Sequence, residues 1–252
     1  MSPRPGPDRV AVIVPAHDER ANLPAALQAI RRAAASAPVP VEVVVVLDAC
    51  TDGTTVPEPA ADVVLEVQAR NVGAARRAGM TAALRTGPAG LWLMCTDADS
   101  LVPVDWVERH LHHAARGADL VVGTVKVADW TGWSADLAGE YQRRYLRRTG
   151  RRGHGHVHGT NLGISATAYQ ELGGFAELTT GEDVDLVRRA RRRRLRVLSA
   201  LDVPVTTSAR ADPRAPDGFG AYLHRTALEV LPAVPAAEGA EPCAVPVQGS
   251  AQ

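Results

Sequence analysis

"LWLMCTDADS", residues 91–100, runs an apolar segment directly into two carboxylates spaced two positions apart. Leu91, Trp92, Leu93 and Met94 show no polar alternation, as expected for a strand buried on both faces of a sheet. Asp97 and Asp99 then follow. Read as extended chain, residues i and i+2 face the same side about 7 Å apart, so both carboxylates would enter one cleft. Two like charges at a buried strand end call for something positive beside them, because neither is cheaply held in an apolar interior.

The same signature recurs along the chain. "VAVIV" (10–14), "VEVVVVL" (41–47), "ADVVLEV" (61–67) and "ADLVVGTVKV" (118–127) read as further strands. Helical segments separate most of them. Leu23, Leu27 and Ile30 recur at helical spacing. "NVGAARRAGMTAALRTG" ends at Gly87-Pro88, and "PVDWVERHLHHAARG" carries Pro103 at its expected first turn. "TTVPEPAAD" (54–62) leaves no room for a helix between the second and third strands. Strands alternating with helices predict an α/β fold, a mostly parallel central sheet with helices on both faces, in a single domain.

After residue 128 the rhythm changes. A helix is expected over 134–148, then a glycine- and histidine-rich loop "GRRGHGHVHGTN", a short apolar stretch "LGISA" and helices near 166–172 and from 182. "RVLSAL" and "VPVTTS" read as two late strands, and "FGAYLHRTALEVL" as a closing helix. The expected organisation is a flexible arm over 1–9, one domain over 10–231 with halves 10–127 and 128–231, and a disordered Pro-, Ala- and Gly-rich tail over 232–252.

Composition narrows the function. The chain has 252 residues, 46% of them hydrophobic, and a formal net charge of zero, which gives no electrostatic case for nucleic acid. Cys50, Cys95 and Cys243 are scattered without CxxC spacing, which argues against a disulfide framework or zinc knuckle and fits a reducing, cytoplasmic setting. No apolar run approaches the ~20 residues of a membrane span, and "MSPRPGPDRV" has no signal core.

In a parallel sheet, ligands bind beyond the carboxyl ends of the strands. "PAHDE" (15–19), "DACTDGT" (48–54), "NVGAAR" (71–76) and "DAD" (97–99) all fall there. Each alone is ordinary turn and cap vocabulary. Four on one edge point to a site. Carboxylates with no nearby cysteine are hard oxygen ligands suited to Mg²⁺ or Mn²⁺, ions that take one or two carboxylates and complete their shell with water and substrate phosphates.

The ordered set "VIVPAHDE", "VVVVLDACTDGT", "NVGAARRAG", "LMCTDADS", "GTNLGIS", "LGGF" and "GEDVDL" resembles glycosyltransferase family 2, with its GT-A (Rossmann-like) fold, over roughly residues 10–208. The resemblance implies a metal-dependent, inverting, hexosyltransferase-like enzyme. It would move one sugar from a nucleoside-diphosphate sugar, UDP- or GDP-linked, to the hydroxyl of a small-molecule, lipid-linked or glycan acceptor. By the same resemblance Pro15, Ala16 and Glu19 belong to the first nucleotide-binding loop and Asp48 contacts the base. Asn71, Gly73 and Arg76 line the nucleotide pocket. Asp97 makes a ribose or water-mediated contact, and Asp99 is the metal ligand. Asp183 is the general base, with Glu182 beside it, and His158 and Asn161 lie on the acceptor side. Acidic residues at a helix start also favour the dipole and cap free N–H groups, and Thr180 and Asp183 have capping-box-like spacing.

The chain departs from the family pattern at several points. Leu47-Asp48 stands where an Asp-Asp pair is usual, and "VTTSAR" offers Thr206, Thr207 and Ser208 where many members have a metal-binding histidine. The QxxRW motif of processive synthases is missing, which implies addition of a single sugar. His154, His156 and His158 alternate but lack the partners of a zinc site, so a flexible loop over the acceptor side is expected. The run "RRARRRRLR" (188–196) reads as a solvated helix face, or as a peripheral contact for anionic lipid or a phosphorylated acceptor. Two alternatives stand beside the transferase: a sugar nucleotidyltransferase, which would want a glycine-rich basic loop after the first strand, and a nucleotide-sugar-binding protein without turnover. A dehydrogenase would need GxGxxG there, and "PAHDERANL" has no glycine.

Overall fold

The computed structural model describes residues 6–151, 153–209 and 219–230. Its strands are β1 (Arg9–Ala16), β2 (Val41–Asp48), β3 (Val63–Val67), β4 (Leu91–Cys95), β5 (Leu120–Asp129), β6 (Thr149–Gly150), β7 (Gly153–His154), β8 (Leu162–Ser165) and β9 (Val197–Ser208). Its helices are α1 (Leu23–Ala35), α2 (Val72–Ala83), α3 (Trp106–Ala115), α4 (Ala135–Arg147), α5 (Ala166–Glu171), α6 (Glu182–Arg192) and α7 (Phe219–Val230). Seven strands form one sheet in the order β3-β2-β1-β4-β8-β5-β9, and β6 and β7 pair as a small hairpin. All neighbours in the large sheet run parallel except β8, which is antiparallel to both β4 and β5.

The absence of polar alternation in the strands has a direct cause. Val10, Val12, Val14, Val43, Val45, Trp92 and Met94 pack on one face, against Leu23, Leu27 and Ile30 of α1 and Trp106 and Val107 of α3. Ala11, Ile13, Val44, Val46, Leu93 and Cys95 pack on the other, against α2, α5 and α6. Each fully buried Leu or Ile contributes roughly 1.5–3 kcal/mol, so both helical layers are held mainly by apolar burial. Gly79 lets α2 press onto the sheet, since a Cβ there would lie 2.6 Å from Ile13 Cγ2. A smaller aromatic cluster of Tyr141, Leu223, Trp130, Trp133 and Phe219 joins α4 to α7.

Several sequence expectations are corrected. β1 begins at Arg9, and the Asp8 amide already bonds the Gly90 carbonyl at 2.9 Å, so the expected loose arm is ordered over its last residues. α3 starts at Trp106, with the Pro103 carbonyl accepting from the Trp106 amide. The apolar stretch after the histidines is a central strand, β8. The two late strands are one continuous β9, whose register against β5 shifts between Val122 and Thr124. The tail expected over 232–252, with Cys243, lies outside the described residues.

Candidate active site

The polar loops at the carboxyl ends of β1, β2 and β4, with the start of α2, form one edge. The first two loops are laced together. Asp18, at φ 53°, accepts from the amides of Thr51 and Asp52 and from the Thr51 hydroxyl. These bonds, with the Thr51 amide foremost, hold its carboxyl below the usual range. Glu19 lies in the turn that precedes α1, its Oε2 accepting from Asn22 Nδ2 at 2.8 Å and its carbonyl from the amides of Asn22 and Leu23. Pro15 and Ala16 are buried at the end of β1, beside Val46 and Leu47.

Asp48 is 3% exposed, and its carboxylate accepts three backbone amides: Ala69 at 2.7 Å and Arg70 and Asn71 at 2.8 Å. It therefore fixes the turn into α2. Asn71 caps that helix through Ala74 N and donates to the Leu178 carbonyl at 2.9 Å.

The charge question raised by the two aspartates has a specific answer. Arg76, only 4% exposed, extends one guanidinium nitrogen to Asp97 Oδ1 at 2.5 Å and another to Glu182 Oε1. Glu182 is 3% exposed and opens α6, so one buried arginine ties the end of β4 to the start of α6. Burial opposes charging of Arg76, but the carboxylates of Asp97 and Glu182 outweigh it and hold its proton more tightly than usual. Burial raises the Glu182 carboxyl, and Arg76 pulls it partly back. Asp183 lies near enough to act electrostatically on both. Gly159 makes room for the arginine, since a Cβ there would sit 2.4 Å from Arg76 Nη1. Cys95, beneath this cluster, has its thiol pushed up to about 12 by burial and is unsuited to act as a nucleophile.

Asp97 and Asp99 do not sit in extended chain. The Ser100 amide bonds the Asp97 carbonyl at 3.1 Å, closing a turn over residues 97–100. Asp97 faces Arg76, whereas Asp99 Oδ1 accepts from the Ser100 hydroxyl at 3.2 Å. A hydroxyl chain that sequence reasoning missed pins this turn: Thr160 Oγ1 accepts the Asp97 amide and donates to Ser100 Oγ, and because the one Ser100 O–H goes to the Asp99 carboxylate, the Thr207 hydroxyl, 2.9 Å away, donates to Ser100 Oγ as well. The end of β9 therefore does reach the turn, carrying a hydroxyl. Among the described residues, no three His, Cys, Asp or Glu side chains are grouped to hold a metal ion.

Asp183, at the start of α6, is half-buried and accepts from the Val184 amide at 2.7 Å. The N-cap of α6 is Gly181, at φ 75° and without a side-chain cap, so the capping-box spacing of Thr180 and Asp183 forms no box. Asn161, expected near the sugar, lies in the interior at 0% exposure. Its Oδ1 accepts from Trp106 Nε1 at 3.0 Å, and its Nδ2 donates to the carbonyls of Thr124 and Val203 at 2.8 and 2.7 Å. It fills the gap opened by the β5–β9 register shift and presents no polar atom to a substrate.

The histidines form a column, not a flexible loop. His156 stacks on Tyr145 with centroids 3.7 Å apart, and His154 and His158 each lie 5.7 Å from His156. Burial pushes His158 down to about 3, and its buried Nε2 has no hydrogen-bond partner.

A seven-stranded sheet of this order, with acidic loops gathered at the carboxyl ends of its parallel strands, has the GT-A (Rossmann-like) architecture of glycosyltransferases. The chain belongs to glycosyl transferase family 2, whose model matches residues 11–173, a span that ends before Glu182 and Asp183. No curated protein sequence matches it. Its fold is similar to that of S. aureus TarS 1–349 in complex with UDP-GlcNAc, with a TM-score of 0.59 and 16% identity over 86% of this chain and 64% of that one. It is also similar to the mannosyltransferase PcManGT from Pyrobaculum calidifontis in complex with GDP-Man and Mn²⁺, with a TM-score of 0.59 and 20% identity over 90% and 64% of the two chains. The chain thus spans 64% of the length of each of these relatives. Among the described residues, no helix is long and apolar enough to cross a membrane.

Proposed function

We propose that this chain is a divalent-cation-dependent, inverting glycosyltransferase that moves one sugar from a UDP- or GDP-sugar to an acceptor hydroxyl in the cytoplasm. The observation that supports this reading is Arg76, which joins Asp97, in the half read as donor-binding, to Glu182, the neighbour of Asp183. Residues 10–127 would bind the nucleotide and residues 128–231 the acceptor. Asp48 would shape the base pocket through the 69–71 backbone that it holds.

The donor set suits a hard cation. It is all oxygen, and one or two protein carboxylates are enough when phosphates and water supply the remaining ligands. Asp99 would hold the ion, which when bound offsets diphosphate charge. Asp183 would accept the acceptor hydroxyl proton as that oxygen bonds to the anomeric carbon. The bond to the diphosphate breaks on the opposite face, the diphosphate leaves with the electron pair, and the anomeric configuration inverts. His158, at the end of the histidine column, would border the acceptor.

A second reading, nucleotide-sugar binding without turnover, draws on the pairing of Arg76 with Asp97 and on the lack of a three-residue metal group among the described residues. Product analysis across a panel of nucleotide sugars and acceptors, with Mn²⁺ or with EDTA, separates the two. Metal-dependent transfer or donor hydrolysis supports the enzyme. Saturable donor binding with neither reaction supports the binder.

A further inference from the structure

Beyond the transfer edge, a cavity of about 680 Å³ opens between the β6–β7 hairpin and the start of β9. Arg148, Arg151 and His154 line it, with the backbone of Gly150, Gly153 and Gly155, and no acidic side chain among the described residues does. Gly153, at φ 130°, lies so close to β9 that a Cβ would meet the Ser199 carbonyl at 2.7 Å, which holds the hairpin against the strand. Arg148 is oriented by its bond to the Gly155 carbonyl at 2.8 Å.

A third element adds charge. Arg191 of α6 is near enough to act electrostatically on His154. Asp185 is already engaged by Arg188 and Arg189 one turn earlier, whereas Arg191, Arg192, Arg193 and Arg194 are exposed. In a chain of zero net charge, the open, glycine-walled hollow is thus lined by two arginines and no carboxylate among the described residues.

The geometry points to a phosphate-binding site in this pocket, separate from the donor edge, with Arg148 and Arg151 as its clamp. Guanidinium groups match phosphate oxygens in paired hydrogen bonds, and glycine walls let a tetrahedral anion approach the backbone. The phosphate would be that of a soluble phosphorylated molecule or of a lipid headgroup.

The test uses the full chain in EDTA, which removes any metal-assisted binding at the donor edge. Inorganic pyrophosphate is titrated calorimetrically against wild type, Arg151→Ala and Arg148→Ala/Arg151→Ala. Saturable binding, weakened about tenfold or more in the double variant and partly in the single one, is expected. Arg151→Ala keeps the test valid if loss of the Arg148–Gly155 bond unfolds the double variant. Equal affinity in wild type and Arg151→Ala, or no saturable binding, overturns the proposal. Sedimentation with phosphatidylglycerol or phosphatidylcholine vesicles distinguishes the sources. Arginine-dependent capture by phosphatidylglycerol alone assigns the lipid, and no capture together with pyrophosphate binding assigns the soluble phosphate. Neither result depends on sugar transfer, so the proposal stands or falls apart from that reading.

Discussion

Arg76→Ala would leave Asp97 and Glu182 facing each other without their shared cation. The guanidinium is 5% exposed and the Glu182 side chain 4%, so solvent screens that contact little, whereas Asp97, 33% exposed, is partly screened and adds less. Removing one partner of a buried ion pair typically costs about 3–5 kcal/mol. For a chain of this size, 1 kcal/mol corresponds to about 2–4 °C in melting temperature, so a fall of roughly 6–20 °C is expected. The deficit should depend on pH. Glu182 already has its carboxyl raised by burial, and without Arg76 it rises further. A carboxyl whose folded value lies above its unfolded value favours the fold below the unfolded value and loses that contribution as pH rises through the folded one. The variant should therefore approach wild type in acid and fall behind it towards neutrality. Arg77→Ala is the control: its ion pair with Glu177 is open to solvent and is worth about 0–1 kcal/mol. Denaturant melts of the three proteins across pH decide the matter. An Arg76→Ala protein within about 1 kcal/mol of wild type at neutral pH would show that the buried bridge does not hold β4 to α6.

Gly159→Ala should destabilise by about 1–3 kcal/mol through overpacking against Arg76, and a melting temperature equal to wild type would contradict the close approach. Asn161→Ala strands the Trp106 indole N–H and the Thr124 and Val203 carbonyls, at about 1–3 kcal/mol for each buried group left unsatisfied, so melting should fall more than acceptor affinity; the reverse pattern would return Asn161 to the acceptor site. Asp99→Asn should leave melting unchanged while raising the Mn²⁺ concentration needed for donor binding about tenfold or more, which a nucleotide titration at several Mn²⁺ levels measures.

The sheet was legible because strands buried on both faces carry unbroken apolar runs, as "VEVVVVL" does. β8 was harder to see. Four residues give too little periodicity, and its antiparallel insertion between β4 and β5 depends on partners far away in sequence. β9 read as two strands because Asp202 and Pro204 look like a turn. The strand instead passes through that point with a register shift beside Gly123, and Asn161 completes the gap. That the acidic loops share one sheet edge was legible from their place after the strands, but the wiring among them was not. Arg76 and Glu182 are 106 positions apart, and nothing local distinguishes Arg76 from its solvent-facing neighbour Arg77. The extended geometry expected for Asp97 and Asp99 was misread because the Ser100 amide closes a turn there.

The most direct measurement is single-turnover sugar transfer by Asp183→Asn under saturating donor and metal. The structure separates a catalytic role from a capping one, because Gly181 rather than a side chain caps α6. Asparagine retains the oxygen that accepts the Val184 amide, so melting should stay near wild type. If Asp183 is the base, the transfer rate should fall on the order of 10²–10⁴, with donor affinity nearly unchanged. A folded Asp183→Asn protein that transfers sugar at the wild-type rate would contradict the account.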